Sequence, residues 1–286
     1  MSPPLASVVF DTFATILKAH SGLVIGPDKT YLLETRLGPL LKRGKLPDLA
    51  ALALQLRAPG SAALIAEVVE AMTTNESFFF RDDKPFQHFR AHALPKLLSA
   101  RPPGSQLRVW SAASSSGQEA YSLAMILDEA RMLVGDRRVE IVGTDIAREQ
   151  VARARAGIYS QFEVQRGLPV TLLMKYFRKE AQGWRIADAI RIMARFQEFN
   201  LLADLRPLGR FDVVFCRNVL IYFDPPTKRR VLEAIARQMP ADGVLYLGGA
   251  ETVMGISDRF VSATGERGVY FPATAAITPS RVAVQV

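Results

Sequence analysis

The run Phe211-Asp-Val-Val-Phe-Cys216 reads as a buried strand that stops in polar Arg217-Asn218, then passes through a short apolar turn to Asp224. In an open parallel sheet, ligands sit in the crevice outside the carboxyl ends of the strands, so polar residues stranded there are site candidates. Three other strand ends carry matching signals. The first is the turn Ser111-Ala-Ala-Ser-Ser-Ser-Gly-Gln-Glu119. Its small residues allow a ligand to approach closely, and the helix start behind it offers free N–H donors. Asp145 ends the next strand, where an acid either accepts hydrogen bonds from ribose hydroxyls or simply caps the following helix. Asn200 ends a third. Only Gly117 of a G-x-G-x-x-G fingerprint is present, which disfavours a bound pyrophosphate. An acid after the second strand plus small polar turns suggests an adenosine ligand without pyrophosphate, and S-adenosylmethionine fits that description.

Rival chemistries fail on residue order and spacing. A serine hydrolase built on the Ser111–Gly117 turn needs a histidine after the serine, but His20, His88 and His92 all precede it. His88 and His92 stand four apart on a helix, yet Phe89 occupies the place of the catalytic Glu in H-E-x-x-H. No nearby cysteine or carboxylate pattern completes a metal shell, so no metal is expected. Cys216 lies inside an apolar strand and reads as a buried structural thiol.

The elements that position these residues follow from periodicity. Residues 1–72 show helical spacing (Val8, Phe13, Ile16, Leu17; Leu32, Leu33, Leu37, Leu40, Leu41) and predict a small helical bundle. A polar hinge, Thr73-Thr-Asn-Glu-Ser77, leads through Phe78-Phe-Phe-Arg81 to Asp83, which is expected to cap a helix with Pro85 in its first turn. From Gln106, strands at Leu107–Ser111, Val139–Thr144, Ile192–Phe199, Phe211–Cys216 and Gly243–Leu247 alternate with helices at Gly117–Val134, Ile146–Ala156 and Pro226–Met239. A closing hairpin is expected at Asp258–Thr264 and Gly268–Phe271. Such alternation implies a parallel sheet with right-handed crossovers. Residues 157–197 break the rhythm and read as an inserted subdomain, and residues 273–286 as a loose tail.

Composition sets the outer bounds. The chain of 286 residues is 49% hydrophobic and 22% charged, an ordinary globular balance with room for one large domain or two smaller ones. Its single cysteine fits a reducing compartment, and no basic start precedes Lys18, so a cytoplasmic location is expected. The net charge of +8 suits an acidic partner or merely a solvated surface. Half of the excess lies at 157–197, with seven Lys/Arg against three Asp/Glu.

Four segments in order and spacing resemble the chemotaxis receptor methyltransferases of the CheR family. They are Thr73-Thr-Asn-Glu-Ser-Phe-Phe-Phe-Arg81, Trp110-Ser-Ala-Ala-Ser-Ser-Ser-Gly-Gln-Glu-Ala-Tyr-Ser122, Gly143-Thr-Asp-Ile146 and Phe215-Cys-Arg-Asn-Val-Leu-Ile-Tyr-Phe223. The resemblance spans nearly the whole chain. Two departures are mild: Ala120 stands where many members have Pro, and Ser77, which keeps the hydroxyl, where Thr is as common. The implied fold is an α/β, Rossmann-like S-adenosylmethionine methyltransferase sheet with an N-terminal all-helical domain (1–72) and a linker (73–84). The methyltransferase domain (85–272) would carry a small inserted β-subdomain.

The resemblance implies methyl transfer from S-adenosylmethionine to glutamate side chains of chemoreceptors. Carried over residue by residue, the cofactor would meet Asn75, Ser77, Arg81, Glu119, Asp145, Asn200, Leu201, Asn218 and Val219, with Arg81 and Tyr222 facing the transferred methyl. Tyr222 could pack under the cofactor, bond the acceptor, or merely plug the core beside Phe223. The implied partner is the acidic helical region of a receptor, met by the acid-free cluster Arg36, Lys42, Arg43, Lys45 and by the basic insert; a solvated helix face is the alternative. The short turn between Phe177 and Trp184 suggests docking without a receptor tail peptide, and the lack of an apolar seam a monomer. Two competing functions remain. A nucleic-acid methyltransferase would suit the charge, but no Asn-Pro-Pro-Tyr or Pro-Cys motif is present, so no nucleic acid is expected. A binding-only regulator is opposed by intact Arg81, Asn218 and Tyr222.

Overall fold

Apolar side chains three and four residues apart drive the first helices together. In the computed structural model, which describes residues 7–273, α1 (Ser7–Ser21), α2 (Thr30–Gly44), α3 (Leu49–Leu56) and α4 (Ala62–Met72) form this bundle. Phe13 and Leu17 of α1 meet Leu33 and Leu37 of α2, Leu52 of α3 and Val68 of α4 in one core. Asp48 starts α3 by accepting the Ala51 N–H at 2.8 Å. The tail expected from residue 273 lies, beyond Ala273 itself, outside the described residues.

After the hinge come α5 (Lys84–His88) and α6 (Leu94–Ser99), separated by a π-type turn at Phe89–Ala93. Asp83 does not cap α5 as expected. Its backbone sits at φ 46°, and its carboxylate takes the Gln87 side-chain amide instead of a helix N–H.

The α/β part then runs β1 (Gln106–Ser111), α7 (Gln118–Glu129), α8 (Arg131–Val134), β2 (Arg138–Asp145) and α9 (Arg148–Ala156). The insert follows as β3 (Ile158–Tyr159), α10 (Gln161–Gln165), α11 (Val170–Tyr176), β4 (Phe177–Glu180), β5 (Gly183–Ile186) and α12 (Asp188–Arg191). The chain returns to the main sheet with β6 (Ala194–Glu198) and β7 (Val213–Cys216). It continues through α13 (Pro225–Arg237), β8 (Val244–Leu247), β9 (Phe260–Ser262) and β10 (Val269–Pro272). The helix expected from Gly117 to Val134 is thus two pieces, and β2 extends one residue further to include Asp145.

Seven strands form one sheet in the order β6-β2-β1-β7-β8-β10-β9. All pairs from β6 to β8 are parallel, and β10 closes the edge antiparallel to β8 and β9. The parallel strands move outward from β1 to β2 and β6 on one side and from β7 to β8 on the other. The switch point therefore lies between β1 and β7, where a crevice opens at the carboxyl ends. Burial on both faces explains the uninterrupted apolar runs of the central strands β7 and β8. Along β7, Val213 and Phe215 join the core under α7, whereas Val214 and Cys216 join the core under α13. The insert makes its own antiparallel sheet, β3-β5-β4, with only Ala181 and Gln182 between the paired Glu180 and Gly183.

Candidate active site

A cleft enclosing about 990 Å³, its mouth included, lies at this switch point and is roofed by the hinge and the end of α1. Asn75, Ser77, Arg81, Glu119, Asp145, Asn200, Leu201, Asn218, Val219 and Tyr222 all line it.

The wall after β1 is shaped by two left-handed residues, Ser115 at φ 47° and Gly117 at φ 94°. A side chain at Gly117 would also come within 3.0 Å of the Ala154 side chain, so glycine is required there twice over. Asp145 fixes this wall. One carboxylate oxygen accepts the Ser115 N–H at 2.7 Å and the other the Ala147 N–H at 3.0 Å. The acid therefore braces the turn and the start of α9 together, while each oxygen keeps a lone pair for a ligand hydroxyl. Burial pushes its pKa up, and the backbone N–H bonds oppose that rise.

Glu119 is half of a buried ion pair. It accepts the Ser111 hydroxyl at 2.8 Å and Arg217 Nη1 at 2.9 Å. The Arg217 side chain is only 1% exposed, and its Nη2 donates to the Arg81 carbonyl and to Asp82, both at 2.7 Å. One guanidinium thus ties the end of β7 to α7 and to the hinge. In the sequence Arg217 marks the polar end of a strand; its bridging role depends on three distant segments meeting.

The hinge is held from both sides. Ser115 donates its hydroxyl to the Asn75 carbonyl at 2.9 Å, and Phe80 donates its N–H to the Ser122 hydroxyl at 3.0 Å. From the insert, Arg166 pairs with Glu76 at 2.5 Å and lies 4.2 Å over the Phe78 ring. The Arg166 guanidinium, with help from Arg81, holds the Glu76 carboxyl below the usual carboxylate range. Arg81 donates Nη1 to the Glu76 carbonyl at 2.7 Å, leaving its other N–H groups toward the cleft it lines.

The far walls join the helical bundle to the sheet. Asn200 donates its amide to the His20 carbonyl at 2.6 Å and accepts the Leu202 N–H at 2.9 Å. Val24 donates its N–H to the Tyr222 carbonyl at 2.9 Å. Gly22 packs against Phe223, where a Cβ would come within 3.0 Å of the ring. The Tyr222 hydroxyl has no hydrogen-bond partner among the described residues.

Two surface expectations change. Arg36 is not a free cation, because it donates to the Met72 and Thr73 carbonyls at 2.6 and 3.1 Å and to the Thr74 hydroxyl at 3.1 Å. Nor is the cluster acid-free in space: Arg43 pairs with Glu67 of α4. Lys42 and Lys45 stay exposed. Elsewhere, His88 bonds Tyr246 at 2.8 Å, and burial lowers its pKa. Burial likewise pushes the Cys216 thiol well up, away from nucleophile chemistry. Among the described residues no group of three or more His, Cys, Asp or Glu side chains could hold a metal.

A parallel sheet with an antiparallel edge, a carboxylate after the second strand and a switch-point cleft without a pyrophosphate loop fit the class of S-adenosylmethionine-dependent methyltransferases. Comparison with known proteins narrows the class. Residues 75–269 match the family described as "CheR methyltransferase, SAM binding domain", and residues 9–73 the "CheR methyltransferase, all-alpha domain". Among relatives, "Chemotaxis protein methyltransferase 1" of Pseudomonas aeruginosa is 38% identical over 94% of this chain and 98% of its own length. "Chemotaxis protein methyltransferase Cher2" of Pseudomonas putida is 36% identical over 92% of this chain and 97% of its own. A solved TehB-like methyltransferase from Corynebacterium glutamicum covers 68% of this chain and 97% of its own at 15% identity. Its TM-score is 0.36. The chain belongs to the CheR methyltransferase family.

Proposed function

We propose that the chain methylates glutamate side-chain carboxylates of chemoreceptors, giving glutamyl methyl esters and S-adenosylhomocysteine in adaptation of chemotaxis-type signalling. The observation that carries this reading is the convergence of the hinge and four strand ends on one cleft, with Arg81 and Tyr222 both lining it. The residues fit the cofactor: Asp145 has lone pairs for ribose hydroxyls, and the Ser115–Gly117 turn gives a close wall without a phosphate nest. When bound, S-adenosylmethionine supplies an activated methyl group as a sulfonium.

An acceptor glutamate with a pKa of about 4.3 is already ionised at neutral pH, so its oxygen needs no general base. That agrees with a cleft lined by no histidine. Anion and cation lose charge on the way to the transition state, so the chain's task is in-line positioning and exclusion of water. Arg81 would orient the carboxylate through its remaining N–H groups, acting as a positioning cation rather than an activator. Tyr222 would hold the methyl side of the cleft, with a hydroxyl free to meet the acceptor.

For docking, Lys42 and Lys45 on the exposed end of α2, with the basic insert, form the surface offered to an acidic receptor helix. Arg36 and Arg43 would contribute mainly by holding that surface in shape. The two-residue turn between β4 and β5 favours recognition without a receptor tail peptide. We place the monomeric enzyme in the cytoplasm, where receptor signalling regions lie; no described helix is long and apolar enough to cross a membrane. The test mixes the protein with methyl-labelled S-adenosylmethionine and chemoreceptor membranes. Release of the receptor-bound label as methanol in mild alkali is expected, and alkali-stable label or label on added RNA would overturn the proposal.

A further inference from the structure

Just past β8, the Glu251 side chain folds back beneath the loop that follows β7. It is 8% exposed and does not line the cleft. One of its oxygens accepts the Asn218 N–H at 2.8 Å and the Gly248 N–H at 2.7 Å. The other accepts the Val219 N–H at 3.0 Å and the Ile221 N–H at 3.2 Å. A single carboxylate thus takes four backbone donors and binds the loops at the carboxyl ends of two neighbouring strands. Charge-assisted bonds of this kind are roughly twice as strong as neutral ones.

The held loop is otherwise unfavourable. Asn218 sits at φ 59°, in the left-handed region that only glycine enters freely and that asparagine adopts mainly where its surroundings hold it. Nor can Gly248 take a larger side chain: a Cβ there would come within 2.8 Å of both the Asn218 amide and the Glu251 carboxylate. Everything around Glu251 is therefore built to let the carboxylate reach the Asn218 N–H. The same short loop presents Asn218, Val219 and Tyr222 to the cleft.

We propose that Glu251 is a positioning residue for cofactor binding, setting the left-handed turn at Asn218 so that Asn218, Val219 and Tyr222 meet the ligand. The proposal rests on the cleft being the cofactor site and is independent of which acceptor is methylated. Glu251→Gln keeps the shape but turns an amide donor toward two backbone donors. Buried backbone donors are then left unpaired and the turn at Asn218 loosens, so affinity for S-adenosylhomocysteine, read by calorimetry, should weaken by about tenfold or more. Glu251→Asp, which keeps the charge, should recover part of that loss.

The control is Asp212→Asn. Asp212 also accepts a backbone N–H, from Arg108 at 2.9 Å, but stands at the opposite end of the sheet. It should lower the melting temperature while leaving S-adenosylhomocysteine affinity unchanged. If Glu251→Gln lowers the melting temperature but binds S-adenosylhomocysteine within twofold of wild type, Glu251 is only structural and the proposal fails. Should Glu251→Gln not fold, Glu251→Asp decides alone: weakened affinity supports the proposal, and wild-type affinity sinks it. A wild-type protein that binds no S-adenosylhomocysteine would instead remove the cofactor assignment of the cleft.

Discussion

The two ends of the main sheet use the same residue types in opposite ways. At the amino end, Arg101 spans Asp212 and Asp242, both at 2.6 Å. Arg108 pairs with Glu140 at 2.6 Å and donates to the carbonyls of Leu208 and Arg210. There, side-chain cations meet side-chain anions across the bottom of the sheet and close it. At the carboxyl end, Asp145 and Glu251 turn mainly to backbone N–H groups, and Arg217 is drawn inward between Glu119 and Asp82. Of the six non-glycine residues with positive φ, all but Lys45 lie in the hinge or the strand-end turns, so the unfavourable backbone gathers at the cleft. One end is built for stability, the other for shape.

The sharpest way to break this comparison is to remove one arginine from each end. Arg217→Ala leaves a buried Glu119 unpaired and should cost about 3–5 kcal/mol of stability. It also frees the hinge, so cofactor affinity should fall with it; denaturation and calorimetry read the two effects. Arg101→Ala removes the partner of the largely buried Asp212 and the half-exposed Asp242, costing about 2 kcal/mol, with cofactor affinity intact. If both variants lose affinity equally, the ends are not distinct.

Arg81→Ala and Tyr222→Phe sharpen the carboxyl end alone. Loss of Arg81 should lower turnover by about a hundredfold if it positions the acceptor, with little change in melting temperature. Loss of the Tyr222 hydroxyl should cost about fivefold in turnover, the worth of one hydrogen bond; unchanged turnover would leave Tyr222 a packing residue. The smallest effect concerns Asp224, which accepts the Thr227 N–H at 3.0 Å and pairs with Lys18 at 2.7 Å. The Lys18 contact and the cap bond depress its pKa from 3.8 to about 2. A depressed folded-state pKa stabilises above the unfolded value and is lost as pH falls through the folded one. Melting temperature should therefore drop slightly more steeply between these two pH values in wild type than in Asp224→Asn.

Much of the carboxyl end was legible because the strands there end in polar residues at the mouth of a turn, most plainly after the apolar run of β7. Asp145, Asn200 and Arg217-Asn218 stand out for that reason. Glu251 was not legible, because an acid behind Gly248-Gly-Ala reads as loop and its four partners are backbone groups that leave no mark in a sequence. Arg36 misled for the same reason: charge counting does not see the carbonyls it holds. The insert was visible as a break in rhythm, but a two-residue strand such as β3 is too short to show a period. Asp83 followed the pattern of a cap until the left-handed turn at Phe80–Asp83 aimed its carboxylate elsewhere.

The helical bundle touches the cleft through two hydrogen bonds made by its backbone, from the Asn200 side-chain amide to the His20 carbonyl and from the Val24 N–H to the Tyr222 carbonyl. It is therefore a wall of the cleft rather than an appendage. A partner that shifts the end of α1 enough to move Asn200 or Tyr222 would change affinity for whatever fills the cleft, and thermodynamic reciprocity then requires that ligand to change the partner's affinity by the same factor. Occupancy of the cleft and grip on the bundle are one equilibrium read from two places.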